Sequence, residues 1–142
     1  MRPERAGAEM VLAVIALAIG IVGLWFARDL GFSEPEGAFV FPQTDDFFWA
    51  RHAQFNPLSA LATIAIGGIA LAGAVTRQRA VILAAATLSL IGAAVMLVDL
   101  TRAEPLLGGR GGNVSLLLAL GLGLALLALT PHVTDDPAGE AA

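Results

Sequence analysis

Two histidines, His52 and His132, are the side chains best suited to hold a metal or a haem iron. A haem ligated between helices needs two such groups at one depth, or one histidine with a methionine. Three long apolar runs separate His52 from His132, so the two fall on opposite faces of any membrane those runs cross. They cannot share an iron, and each reads as a single surface histidine. Asp45 and Asp46, with Glu34 and Glu36, offer oxygens to a hard cation, but their spacing matches no ligand loop and reads as a solvated acidic surface. Arg51 and His52 lie near the two aspartates in sequence, yet the spacing specifies no reaction. Cysteine is absent, which excludes disulfides, thiolate metal sites and thiol chemistry. No catalytic residue, metal or cofactor is assigned, and the chain reads as non-enzymatic.

A second candidate is the glycine-rich stretch Gly108-Gly109-Arg110-Gly111-Gly112 ahead of Asn113. Exposed backbone N–H groups at a helix N-terminus favour an anion, so Gly109, Arg110, Gly111, Gly112 and Asn113 form a candidate cradle for a lipid phosphate. The stretch lacks the lysine, the hydroxyl spacing and the preceding strand of a nucleotide loop. A flexible link is the plainer reading.

The third candidate is aromatic. Both tryptophans and all seven phenylalanines fall between Trp25 and Pro57. Amphipathic rings collect at membrane interfaces, and buried aromatic anchors dominate binding energies. Thr44 or Asp45 is a fit cap for a short interfacial helix carrying Phe47, Phe48, Trp49, Arg51 and His52, with Phe55 on the same side. These six residues are the expected contact surface for a partner subunit or lipid. A plug folded over the helix ends is the alternative.

The elements that position these groups follow from composition. Of 142 residues, 57% are hydrophobic and 14% charged, with the apolar residues gathered in runs. Four runs are each long enough to cross a bilayer, at about 10–27, 57–76, 80–99 and 113–130. The expected fold is an all-α, antiparallel four-helix transmembrane bundle occupying residues 1–130, with a loop at 28–56 and an acidic, disordered tail at 131–142. Trp25 and Phe26 at the end of the first run argue against signal-peptide cleavage, so that run is kept as a helix. Asn56-Pro57 opens the second, Asn113 is the expected N-cap of the fourth, and Thr130-Pro131 ends it. The short Arg77-Gln78-Arg79 break makes spans two and three antiparallel neighbours.

Within the spans no ionisable group is expected, with Glu9 and Asp99 at ends reached by water. Thr63, Thr87, Ser89 and Ser115 are expected to bond their own helices. Small residues four apart (Ala16 and Gly20; Gly68 and Ala72; Ala85, Ser89 and Ala93; Ser115, Ala119 and Gly123) are expected to form the contact faces, because in lipid close approach and not apolar burial drives helix association. The net charge of −4 argues against a nucleic-acid partner. All eight basic residues are arginine, and they divide equally between the two sides. The compact Arg77 and Arg79 pair places the termini in the cytoplasm of a bacterial inner membrane.

The segments Asn56 to Gly73 (NPLSALATIAIGGIALAG) and Gly111 to Leu127 (GGNVSLLLALGLGLALL) resemble a family of small four-helix actinobacterial membrane proteins of unknown function. In that family, Asn followed by His opens spans two and four. Ser59 and the Ser115-Leu116 region stand in those places here. The lack of a catalytic constellation, the lack of charge within the spans and the one concentrated aromatic face together lead to an accessory or structural subunit of a membrane complex, in contact with lipids and with other subunits or copies of itself. The alternative is a binder or carrier of a lipid or other apolar small molecule.

Overall fold

The computed structural model describes residues 3–35, 37–39 and 54–130. The expected interfacial helix, with Asp45, Asp46, Phe47, Phe48, Trp49, Arg51 and His52, and the acidic tail lie outside the described residues. Four helices carry the fold: α1 (Pro3–Phe26), α2 (Pro57–Thr76), α3 (Arg79–Asp99) and α4 (Gly111–Leu129). A two-residue antiparallel pairing of β1 (Ala38–Phe39) with β2 (Gln54–Phe55) sets Ala38 opposite Phe55 and Phe39 opposite Gln54. Each of the four helices is long and apolar enough to cross a membrane.

The helix limits follow local chemistry. α1 starts seven residues before the expected Met10, because Pro3 suits a first turn and nothing up to Glu9 breaks a helix. The start of α2 carries a reciprocal cap: the Asn56 side chain accepts from the Ser59 N–H at 2.9 Å, and the Ser59 hydroxyl accepts from the Asn56 N–H at 3.1 Å. Its end is closed by Arg77 in the left-handed region at φ 56°, where the Gln78 N–H reaches Gly73 O at 3.0 Å. α4 begins at Gly111, with Arg110 as the cap, and not at Asn113. Asn113 sits one turn inside and reaches back, its Oδ1 accepting from the Arg110 N–H at 2.9 Å.

Packing inverts the usual size rule. On α1 the inward residues are Ala6, Glu9, Ala13, Ala16, Gly20 and Gly23, at alternating steps of three and four, while Val11, Val14, Ile15 and Ile21 point outward. That alternation is the seam of helices packed knobs into holes, and small residues in it bring backbones close. A Cβ on Gly20 would fall 2.7 Å from Ile64 Cγ1, and one on Gly67 would fall 2.9 Å from the Leu17 backbone nitrogen. α1 packs chiefly on α2 and α3 chiefly on α4, with α2 meeting α3 less extensively and α1 meeting α4 least.

Two of the four expected small-residue faces are corrected. On α2, Gly68 and Ala72 are exposed, and Gly67, Ala70, Gly73 and Ala74 face inward. On α4, Ser115 and Ala119 are exposed, and Leu117, Leu120, Gly121, Leu124 and Ala128 face inward. A strict four-residue step drifts by about 40° around a helix at each repeat, whereas the three-four alternation holds one direction. The Ala16 and Gly20 face of α1 and the Ala85, Ser89 and Ala93 face of α3 are buried as expected.

Polar groups also differ from expectation. Thr63 and Thr87 bond their own helices, at Ser59 O (2.9 Å) and Leu83 O (2.8 Å). Ser89 instead crosses to α4 and donates to Leu117 O at 2.8 Å. Glu9 and Asp99 are 0% and 5% exposed, so neither lies open to water. Glu9 falls inside the apolar segment Ala6–Phe26, where a carboxylate is costly and restricts what can surround it.

Candidate functional site

The buried polar side chains concentrate where the α1–α2 loop meets the α3–α4 link. Two of them, Asn56 and Asn113, bind segments distant in sequence, and a third, Asp99, binds the link that follows its own helix. Asn56 is fully buried, and besides capping α2 it donates from Nδ2 to Glu34 O at 3.0 Å and to Leu106 O at 2.7 Å. One amide therefore joins the first turn of α2 to both connecting segments. Asn113 pairs with Gln54 at two points, accepting from its N–H at 2.9 Å and donating to its carbonyl at 2.8 Å. The side-chain amide thus satisfies both backbone groups of Gln54, as a neighbouring strand would.

Asp99, the last residue of α3, turns its carboxylate back into the link. Oδ1 accepts from the Leu106 N–H and Oδ2 from the Leu107 N–H, both at 2.9 Å. Charge-assisted bonds to consecutive amides are the strong kind, and they account for a buried carboxylate. Leu58 N–H adds a bond to Phe32 O at 3.0 Å, tying the start of the α1–α2 loop to α2. Gly108, at φ +59°, lies against Glu34 O and Asn56 Nδ2. A side chain there would be strained by the backbone and would collide with both.

Gly108 and Gly109 are buried, Arg110 is exposed, and the Arg110 N–H is bonded to Asn113. The amides cradling an anion lie just upstream, at Leu106 and Leu107, and the anion is Asp99. Of the six aromatic-loop residues, Phe55 is described, and it is 1% exposed with its ring on Gly23, in a cluster with Ala60. That cluster packs against Ile19, Val22 and Leu24 of α1 and Leu116 of α4. Among the described residues, Trp25 (64%), Phe32 (60%) and Phe26 (36%) expose rings at this end, with the Arg28 guanidinium carbon 4.3 Å from the centre of the Trp25 ring.

Sequence reasoning missed Gln54, the long-range roles of Asn56 and Asn113, and the bonds of Asp99 to the link that follows its helix. The available signal was Asn-Pro-x-Ser at 56–59, a capping pattern that explains the buried asparagine but not its extra partners. Among the described residues no group of three or more His, Asp or Glu side chains is placed to hold a metal ion.

Below the polar knot, two apolar clefts open on the α2–α3 side. One of about 410 Å³ is lined by Leu58, Val98, Asp99, Arg102 and Leu106 among others. The next, about 340 Å³, shares Val95 and Leu107 with it and runs down to Ile69 and Leu88. A third, about 200 Å³, lies between α1 and α4. Comparison of the chain with protein-family models, curated proteins and solved structures finds no match.

Proposed function

We propose that this chain is a non-enzymatic accessory or structural subunit of a larger assembly in a bacterial inner membrane, built as an antiparallel four-helix transmembrane bundle. The observation that carries the reading is the knot itself. Asn56, Asp99 and Asn113 spend their hydrogen-bonding groups on this chain's own backbone, which makes the loop end of the bundle a fixed surface. A rigid surface presents contact residues without an ordering cost on binding. Phe47, Phe48, Trp49, Arg51 and His52, the proposed partner contacts, fall in the sequence between Phe39 and Gln54, and Trp25 and Phe32 are exposed. In the proposed orientation the termini and the Arg77–Arg79 turn are cytoplasmic and the knot lies on the outer side.

The test is native mass spectrometry of the chain solubilised gently from its own membrane. A fixed stoichiometry of foreign subunits, lost when Phe48 and Trp49 are changed to Ala, is the expected result. A chain recovered alone, or with the same subunits after those changes, overturns the reading. A C-terminal reporter active only outside the cell overturns the orientation alone. The second reading, a binder of a lipid or other apolar molecule, is favoured by the paired clefts between α2 and α3.

A further inference from the structure

The helices α2 and α3 are in close contact beside the turn that joins them. Next to the Arg77-Gln78 turn, a Cβ on Gly73 would lie 2.8 Å from Ile82 Cδ1, so the pair is closed there. Away from the turn, two adjoining clefts lie on the α2–α3 side. On α2 the cleft runs from Leu58 to Ile69, and on α3 from Leu88 to Asp99. Each run covers eleven residue steps, about 17 Å at 1.5 Å per residue. One leaflet of a bilayer has about 15 Å of hydrocarbon depth. The cleft is therefore as deep as one leaflet, and it is open sideways through the exposed Ile91, Val95 and Val98.

Its mouth is charged. Arg102 lines the upper cleft and is exposed, and its guanidinium forms no ion pair with a described residue. Of the two carboxylates close to it in sequence, Asp99 has both oxygens bonded to the Leu106 and Leu107 amides, and the exposed Glu104 forms no ion pair with a described residue. An exposed cation that forms no ion pair with a described residue, set above an apolar slot one leaflet deep, matches a phosphate above an acyl chain. We propose that the α2–α3 cleft is a binding site for a membrane glycerophospholipid. One acyl chain lies along Val95 and Ile66, and the headgroup phosphate accepts from the Arg102 guanidinium. This goes beyond the accessory reading and deepens the second one, and it holds for a lone chain or a subunit alike.

The test uses the isolated full chain in nanodiscs of phosphatidylcholine with a minor fraction of phosphatidylglycerol carrying a photoreactive acyl chain. Mapped cross-links concentrated on residues lining the cleft, above those on the outward Val11, Val14 and Ile21 of α1, are expected. Equal labelling of both surfaces overturns the site. Arg102→Gln should lower retention of the phospholipid, counted by native mass spectrometry, roughly fivefold, and Arg102→Lys should restore most of it. Retention unchanged in Arg102→Gln overturns the phosphate contact. Ala65→Phe, which fills the slot from the exposed side of α2, should abolish the concentrated labelling with the helical circular dichroism unchanged. Concentrated labelling that survives in that folded variant overturns the acyl slot. Because the chain is tested alone, these outcomes do not depend on whether foreign subunits are found.

Discussion

Replacing Asn56 by Asp separates two accounts of the polar knot. If Asn56 only capped α2, aspartate would serve equally well, since Asn, Asp and Ser are nearly equivalent caps. The Oδ1 acceptor for the Ser59 N–H at 2.9 Å would survive the change. The structure gives Asn56 a second duty through Nδ2, which donates to Leu106 O at 2.7 Å and Glu34 O at 3.0 Å. Aspartate removes both bonds, worth about 1 kcal/mol each. It also turns an acceptor oxygen toward two carbonyl oxygens in a buried place, adding a penalty of about 1–3 kcal/mol. The expected loss is therefore about 3–5 kcal/mol, an upper range because the bonds belong to one network. Asn56→Ser keeps the cap without the repulsion and should lose about 2 kcal/mol through the same two missing bonds. The measurement is unfolding by sodium dodecyl sulfate titration in mixed micelles, followed by circular dichroism. An Asn56→Asp variant as stable as the parent would refute the argument that this side chain ties the two connecting segments together.

Gly67→Leu should destabilise by about 1–3 kcal/mol in the same titration, while Gly68→Leu should stay within about 0.5 kcal/mol, because a Cβ at Gly68 meets nothing within 4 Å. Ser89→Ala removes the bond to Leu117 O and should cost about 0.6 kcal/mol, with about 1.7 kcal/mol as the ceiling for such bonds between helices. Asp99→Ala strands the Leu106 and Leu107 amides and should cost about 2–3 kcal/mol. Limited proteolysis should then cut the segment between α3 and α4 well before any helix is lost.

Helix number and approximate limits were legible because runs of twenty apolar residues have few other uses, and Asn56-Pro57 marked the start of α2 to the residue. The facing of each helix was far less so. In water the apolar stripe marks the inside, but every side of α2 and α4 is apolar, so periodicity carries little phase information. Gly67 and Gly68 are neighbours of identical type, and only the backbones of Leu17 and Ala13 distinguish them. The knot was hidden for another reason. A capping asparagine looks the same whether or not its N–H₂ group reaches a strand or link elsewhere. Asp99 likewise read as a span end in water, because the two amides that engage it come seven and eight residues later, from an irregular link.

The Gln54–Asn113 pair joins positions 59 apart, and this sets an order of events during synthesis. When Gln54 leaves the ribosome its partner does not exist. At about 5–20 residues per second, Asn113 follows roughly 3–12 s later. For that interval the first two helices stand with their connecting segment unsealed. A subunit or insertion factor that met the nascent chain then would find the Gln54 N–H and carbonyl without their Asn113 partner. The finished chain offers the same sequence already fastened.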